Sequence, residues 1–152
     1  MTAISKSNSI PAMSNEAIDY VRAIEANAKT KEQVFINIQH MLHGGMYARS
    51  MVLPAGVMLT GALIKIPTIL LLSGDVMVFT GDDVEQFSGD HVLACSAGRK
   101  QAFYANSDTH MTMIFPSVAT GVEGAESEFT DEVSLLSSRG SDAQNVIVIT
   151  GE

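Results

Sequence analysis

The segments Gly61-Ala-Leu-Ile-Lys-Ile-Pro-Thr-Ile-Leu-Leu-Leu-Ser-Gly74 and Gly98-Arg-Lys-Gln-Ala-Phe-Tyr-Ala-Asn-Ser-Asp-Thr109 decide the fold. In and after the first, short apolar runs at 69–72 and 76–80 are separated by Ser73, Gly74 and Asp75, which predicts a hairpin. In and after the second, the runs 100–105 and 109–115 flank Asn106, Ser107 and Asp108, which predicts another. Gly81-Asp-Asp83 and Ser88-Gly-Asp90 read as further turns, with a strand over 91–96. Many short strands at this spacing point to an antiparallel sandwich or barrel.

Upstream, the same period of two holds from residue 33. Val34, Ile36, Ile38 and His40 alternate with Phe35, Asn37, Gln39 and Met41, so one set faces inward. Gly44-Gly45 breaks that strand. Tyr47, Arg49, Met51 and Leu53 share a face of the next, and a third is expected over 57–66 after the turn at Pro54-Ala-Gly56. Ahead of the strands, Ser14 or Asn15 caps a helix expected to run to Ala28, with Ile18, Val21, Ile24 and Ala28 on one face. Asp19 with Arg22, and Glu25 with Lys29, are spaced to pair on its outer face. After Pro116, Thr120-Gly-Val-Glu123 fits a capping box, followed by a helical stripe of Val122, Ala125, Phe129, Val133 and Leu136. Residues 146–149 form a terminal strand that can extend a sheet edge of this chain or of a neighbour. The expected organisation is a flexible arm at 1–13, one domain at 14–138, and a tail at 139–152.

At 152 residues the chain has the size of one domain, and its 46% apolar content is enough for a single core. The net charge of −8 disfavours a nucleic-acid polymer as partner, because phosphate binding needs a basic surface. A single cysteine, Cys95, excludes an internal disulfide and fits a reducing compartment. Its place in an apolar run makes it a buried thiol. No apolar run approaches membrane-spanning length, and the first residues lack a signal-peptide core. A cytoplasmic protein, with no membrane partner, is expected.

Read together, His40 with Gly45-Met-Tyr-Ala-Arg49, Leu53-Pro-Ala-Gly56, Thr60-Gly61, Gly74, Gly98-Arg-Lys-Gln-Ala-Phe-Tyr-Ala105, Asp108-Thr109 and the stretch 126–139 resemble cupin-like proteins of phages and prophages. The resemblance covers about two-thirds of the chain. It implies a mainly β fold, a single double-stranded β-helix (jelly-roll) barrel with N- and C-terminal helices packed outside, and a homodimer or higher homo-oligomer. Metal-binding relatives carry histidines and a glutamate just after the glycine matching Gly61. Here Ile64, Pro67 and Thr68 stand in that region, so no metal and no cofactor are expected.

Arg49, Lys65, Arg99 and Lys100 are four of the nine Lys and Arg residues, concentrated in the barrel segment of an acidic chain. That concentration hints at a local anion site. Lys100, Ala102 and Tyr104 share one strand face and Arg99, Gln101 and Phe103 the other, and one set must line the interior. The candidate ligand-binding residues are Arg49, Lys65, Lys100, Gln101, Tyr104 and His40. The leading expectation is a metal-free, non-catalytic binder of a small, anionic molecule, acting on host metabolism or on nucleotide defence signals. One alternative is a metal-independent isomerase or lyase that uses His40 and Tyr104 as acid–base groups. Another is an assembly module of a phage particle, joined through the terminal strand.

Overall fold

The computed structural model describes residues 8–152. Nine strands are arranged as a jelly-roll barrel with two helices outside it: β1 (Ser9–Ile10), α1 (Asn15–Ala28), β2 (Ile38–His43), β3 (Met46–Leu53), β4 (Met58–Thr60), β5 (Thr68–Phe79), β6 (Val84–Cys95), β7 (Ala102–Ala105), β8 (Thr109–Pro116), α2 (Val122–Phe129) and β9 (Asn145–Ile149). Two 3-10 turns, Val133–Leu135 and Ser137–Arg139, follow α2.

The long pair β5–β6 builds the barrel. It is antiparallel over twelve residues, from Thr68 opposite Cys95 to Phe79 opposite Val84. The first part of β5 pairs with β8 and the last part with β7. One strand therefore belongs to both walls. The larger wall runs β1-β6-β5-β8-β3-β2-β9, and β4 pairs with β7 in the smaller one.

This corrects the predicted hairpin at Ser73-Gly74-Asp75. The chain continues through it as one strand, and Ser88-Gly89-Asp90, read as a turn, is the matching part of β6, with Gly74 opposite Gly89. Gly74 is needed because the β7–β8 connection crosses directly over it. A Cβ there would stand 2.5 Å from Thr109 Oγ1 and 2.7 Å from the Asp108 carbonyl oxygen, and its φ of +149° disfavours a side chain as well. The second predicted hairpin is also a connection rather than a pair. β7 and β8 lie end to end along β5 and do not bond to each other.

Inward faces of both walls supply the core, including Tyr47, Leu53, Leu72, Val76, Leu93 and Phe115. Burying each such side chain contributes about 1.5–3 kcal/mol relative to leaving it exposed. α1 begins as read: the Ser14 hydroxyl accepts from the Ala17 N–H at 3.1 Å. Its Ala17, Ile18 and Val21 pack with Met13 and Ala102 in a smaller cluster against the barrel's outside. The expected pairs along α1 do not form, because both partners reach off the helix: Arg22 bonds Glu132, and Glu25 bonds Lys100.

Four boundaries move. The strand expected from residue 33 begins at Ile38, and Val34 and Phe35 are exposed. The third strand shrinks to β4, continued only by a bridge between Ile64 and Arg99. The helix after Pro116 ends at Phe129, and its N-cap is Gly121, with no side-chain cap bond. Part of the expected arm is ordered: β1 pairs parallel with β6, and Ile10 is fully buried, while the rest, residues 1–7, lies outside the described residues. At the other end, β9 pairs parallel with β2 of the same chain, so the expected tail is part of the larger wall.

Candidate functional site

The barrel is not filled by its own side chains. A cavity of about 280 Å³ enters it and opens to solvent, with the exposed Lys29 and Gln33 on its lining. Its walls are largely apolar, with Met51, Leu70, Phe103, Met111, Met113 and Phe129 prominent. Polar residues interrupt that surface, among them Lys29, Gln33, Thr60 and Ser137, and two of them, Arg99 and Gln101, come from one strand face.

The reason is the strand's period of two. Arg99, Gln101 and Phe103 point inward, and Lys100, Ala102 and Tyr104 point outward. The bridge to Ile64 fixes Arg99 at the base of this run, where it is 1% exposed. Its Nε donates to Gln101 Oε1 at 3.2 Å, Nη1 to the Ser96 carbonyl at 2.6 Å, and Nη2 to Thr68 Oγ1 at 2.5 Å. All three acceptors are neutral. Among the described residues, no carboxylate pairs with this guanidinium. Burial pulls its pKa down from the ordinary arginine value, and nearby Cys95, itself pushed up by burial, is its main electrostatic neighbour.

Gln101 is 4% exposed, and its Nε2 has no hydrogen-bond partner among the described residues. A buried donor left without a partner costs about 1–3 kcal/mol. An unpaired cation and an orphaned amide thus sit side by side on the wall of an apolar cavity.

The other buried charges near the cavity are compensated, while Lys29, also on its lining, is exposed to solvent. Arg49 lines the cavity, but its Nη1 donates to Glu126 Oε2 at 2.8 Å and its Nη2 to Ser138 Oγ at 3.1 Å. Glu126 also accepts from Ser138 Oγ and, at 2.7 Å, from Arg139 Nε. Burial alone would raise the Glu126 pKa, but bonds from Ser138, Arg139 and Arg49 together hold it below the usual carboxylate value. Lys100 is fully buried beneath α1, with Nζ 3.0 Å from Glu25 Oε2 and 3.1 Å from Glu132 Oε2. Glu132 takes Arg22 as well, at 2.7 Å. This cluster fastens the helix to the barrel.

Of the sequence candidates, then, Gln101 and Arg49 reach the cavity and the other four do not line it. Lys65 is on the surface and bonds Asp131 at 2.6 Å. Lys100 faces the helix. Tyr104 is 46% exposed in a groove beside α1. His40 is buried behind β3, with Nδ1 2.6 Å from Tyr47 Oη and Nε2 2.7 Å from Asn145 Oδ1. Burial chiefly lowers its pKa from the ordinary imidazole value, against the bond to Asn145. His40 and Tyr104 do not share a site, because one is buried in the β2–β3–β9 part of the wall and the other is on the opposite wall's outer face. The acid–base pair of the enzymatic alternative is not assembled.

The residue not singled out as a ligand is Arg99. Its strand face was legible; its lack of a counter-ion was not, because the acids that neutralise Lys100 lie 75 and 32 residues away. A metal does not fit the cavity. Its lining contains no histidine or cysteine and one carboxylate, Glu25, already engaged by Lys100. Among the described residues, no three His, Cys, Asp or Glu side chains converge as a ligand set, and Arg99 would repel a cation.

No family model matches this chain, and no curated protein matches it. Solved structures share its general shape. A cupin 2 conserved barrel domain protein from Leptotrichia buccalis is similar over 62% of this chain and 46% of its own, with 12% identity and a TM-score of 0.48. A cupin-2 domain containing protein from Shewanella frigidimarina is similar over 61% and 91%, with 7% identity and a TM-score of 0.44. A cupin superfamily protein from Desulfitobacterium hafniense is similar over 59% and 86%, with 15% identity and a TM-score of 0.43. The jelly-roll assignment itself stands on the strand order and register above. No helix among the described residues is long and apolar enough to cross a membrane.

Proposed function

We propose that this chain is a metal-free, non-catalytic cupin-like protein that binds a small organic anion inside its barrel. The observation that carries the reading is Arg99, a guanidinium buried in the cavity wall without a carboxylate, with Gln101 Nε2 unpaired beside it. An anion would neutralise the one and satisfy the other. The acid–base groups facing the same space are Glu25, which Lys100 already holds, and the exposed Lys29, and no buried pair of them is assembled there, so binding is better supported than turnover. That the ligand is a cytoplasmic host metabolite is part of the same proposal and rests on the sequence resemblance to phage-encoded chains alone. A nucleotide signal is less well supported, because the lining is largely apolar and holds one buried cation without a counter-ion. Native mass spectrometry of the purified protein, then denaturation and analysis of what is released, tests this. The expected result is one organic anion per barrel, or a protein that takes one up from a panel of organic anions. Failure to carry or bind any anion would overturn it.

Self-association is supported by a separate feature. Across the outer face of the larger wall, Val148, Met41, Ala48, Ile114, Ile69 and Ala94 stand in one row of register. The next row, Val146, Gln39, Ser50, Thr112, Leu71 and Val92, is also uncharged. In a chain of net charge −8, two adjacent rows without a charged group, bordered by Asp90 in the row beyond, are suited to a second copy of the chain. Sedimentation should give a dimer mass that Met41→Glu or Ile69→Lys converts to monomer. A wild-type monomer at high concentration would remove this part of the reading, and a large ordered assembly would favour the particle-module alternative.

A further inference from the structure

We infer that the ligand is a compact monocarboxylate with an apolar body, its head group held by Arg99 and Gln101 and its body packed among the methionines. The inference rests on the anion-binding reading above and narrows it by charge, donor count and shape.

Charge comes first. The buried part of the cavity wall offers one uncompensated positive charge, since Arg49 is held by Glu126 and Lys29, the other cation of the lining, is exposed to solvent. A carboxylate carries one negative charge and cancels it. A phosphate monoester carries about −1.5 to −2 at neutral pH and would leave buried negative charge unpaired. Glu25 on the same lining weighs further against a second anionic group.

The donors also match. Of the five guanidinium N–H groups of Arg99, three are engaged, which leaves one each on Nη1 and Nη2. Gln101 Nε2 contributes two more. A carboxylate has about four lone-pair sites on two oxygens, so it can absorb this set without leaving an orphan on either side. The rest of the space asks for hydrocarbon. Met51, Leu70, Phe103, Met111, Met113 and Phe129 offer no hydrogen bonds to a polyhydroxylated or zwitterionic body, so polar groups buried against them would go unmatched. Methionine walls adapt to shape, so a short branched chain and a single aromatic ring are both admissible.

The test uses benzoate, phenyl phosphate and benzyl alcohol as probes, which hold the ring constant and vary the head. The protein is labelled with ¹³C at its methionine methyls. Met51, Met58, Met111 and Met113 line the cavity, and Met41 and Met46 lie exposed on the outer sheet as internal controls. Benzoate should shift the cavity methyls saturably and leave the two outer ones in place. Gln101→Glu, which puts a carboxyl where the head group would sit, should weaken benzoate at least 10-fold with the methyl dispersion of a folded protein retained. Phenyl phosphate and benzyl alcohol should each bind at least 10-fold more weakly than benzoate. Tighter binding of phenyl phosphate would overturn the carboxylate and leave the anion site standing. Equal binding of benzyl alcohol, or no response to any of the three at millimolar concentration, would overturn the carboxylate inference. If Gln101→Glu binds benzoate as tightly as wild type, the head group is not at Arg99, and both readings fall.

Discussion

Gln101→Glu should make the empty protein more stable while removing its binding function. In the wild type, Gln101 Oε1 already accepts from Arg99 Nε at 3.2 Å, and Nε2 has no partner. The substitution keeps the shape and that bond. It replaces the orphaned donor with an acceptor and gives the buried guanidinium a carboxylate. Relieving the orphan returns about 1–3 kcal/mol. The new buried pair is not simply additive, since desolvating a carboxylate costs several kcal/mol and can cancel much of the attraction. A net gain of about 1–2 kcal/mol is expected. For a domain of this length each kcal/mol moves Tm by roughly 2–4 °C, so the midpoint should rise by roughly 2–8 °C. The gain should fade in acid, as the introduced carboxyl is protonated and the pairing is lost. Calorimetry on ligand-stripped protein at neutral pH and near pH 4, with urea unfolding as a second measure, reads the effect. A loss of more than about 1 kcal/mol would refute the reasoning, because it would mean that Arg99 and Gln101 are already satisfied in the empty barrel.

Three further outcomes are expected. Gly74→Ala should destabilise by well over about 1 kcal/mol in urea titration, because its Cβ would meet Thr109 and the Asp108 carbonyl at less than 3 Å and its φ is positive. Lys100→Met should cost about 3 kcal/mol, since Glu25 and Glu132 lose a buried cation and remain largely enclosed; an unchanged urea midpoint would mean that water already screens them. Stability should fall as pH drops below about 4.5, the ordinary glutamate value. Glu126 and Glu132 both lie below it in the fold, so the unfolded chain takes up protons first and the stability they confer is lost as pH passes down through their folded values. Glu126→Gln should flatten that acid limb while lowering stability at neutral pH, and an unaltered limb would assign acid sensitivity to other groups.

How much of this was legible in the sequence depends on the range of the interaction. Local alternation placed Arg99, Gln101 and Phe103 on one face and Lys100 on the other, and the helix start at Ser14 followed from one capping bond. The β5–β6 pair was misread because glycine flanked by Ser and Asp signals a turn in local statistics. Its actual cause, the approach of Thr109 from 35 residues on, has no local trace. The same holds for the site. Four basic residues near the barrel looked equivalent as letters. They differ in the acids that reach them: Glu126 for Arg49, Asp131 for Lys65, Glu25 and Glu132 for Lys100, and none among the described residues for Arg99. Lone-cation status is decided by packing between distant segments, which periodicity does not report.

The last strand, β9, bears on how the protein behaves in a tube. Val146, Ile147, Val148 and Ile149 are each roughly half exposed, so both faces of an uncharged strand meet solvent, and β9 ends the strand order of its wall. A segment of this composition is also a template for cross-β stacking. Beyond the pairing of two copies proposed above, what opposes further stacking at this edge is the acidity of the molecule as a whole, and that protection vanishes near the pI of about 4.8. The practical optimum for storage and crystallisation therefore lies well above that pH and at modest ionic strength, where mutual repulsion rather than local sequence prevents filament growth.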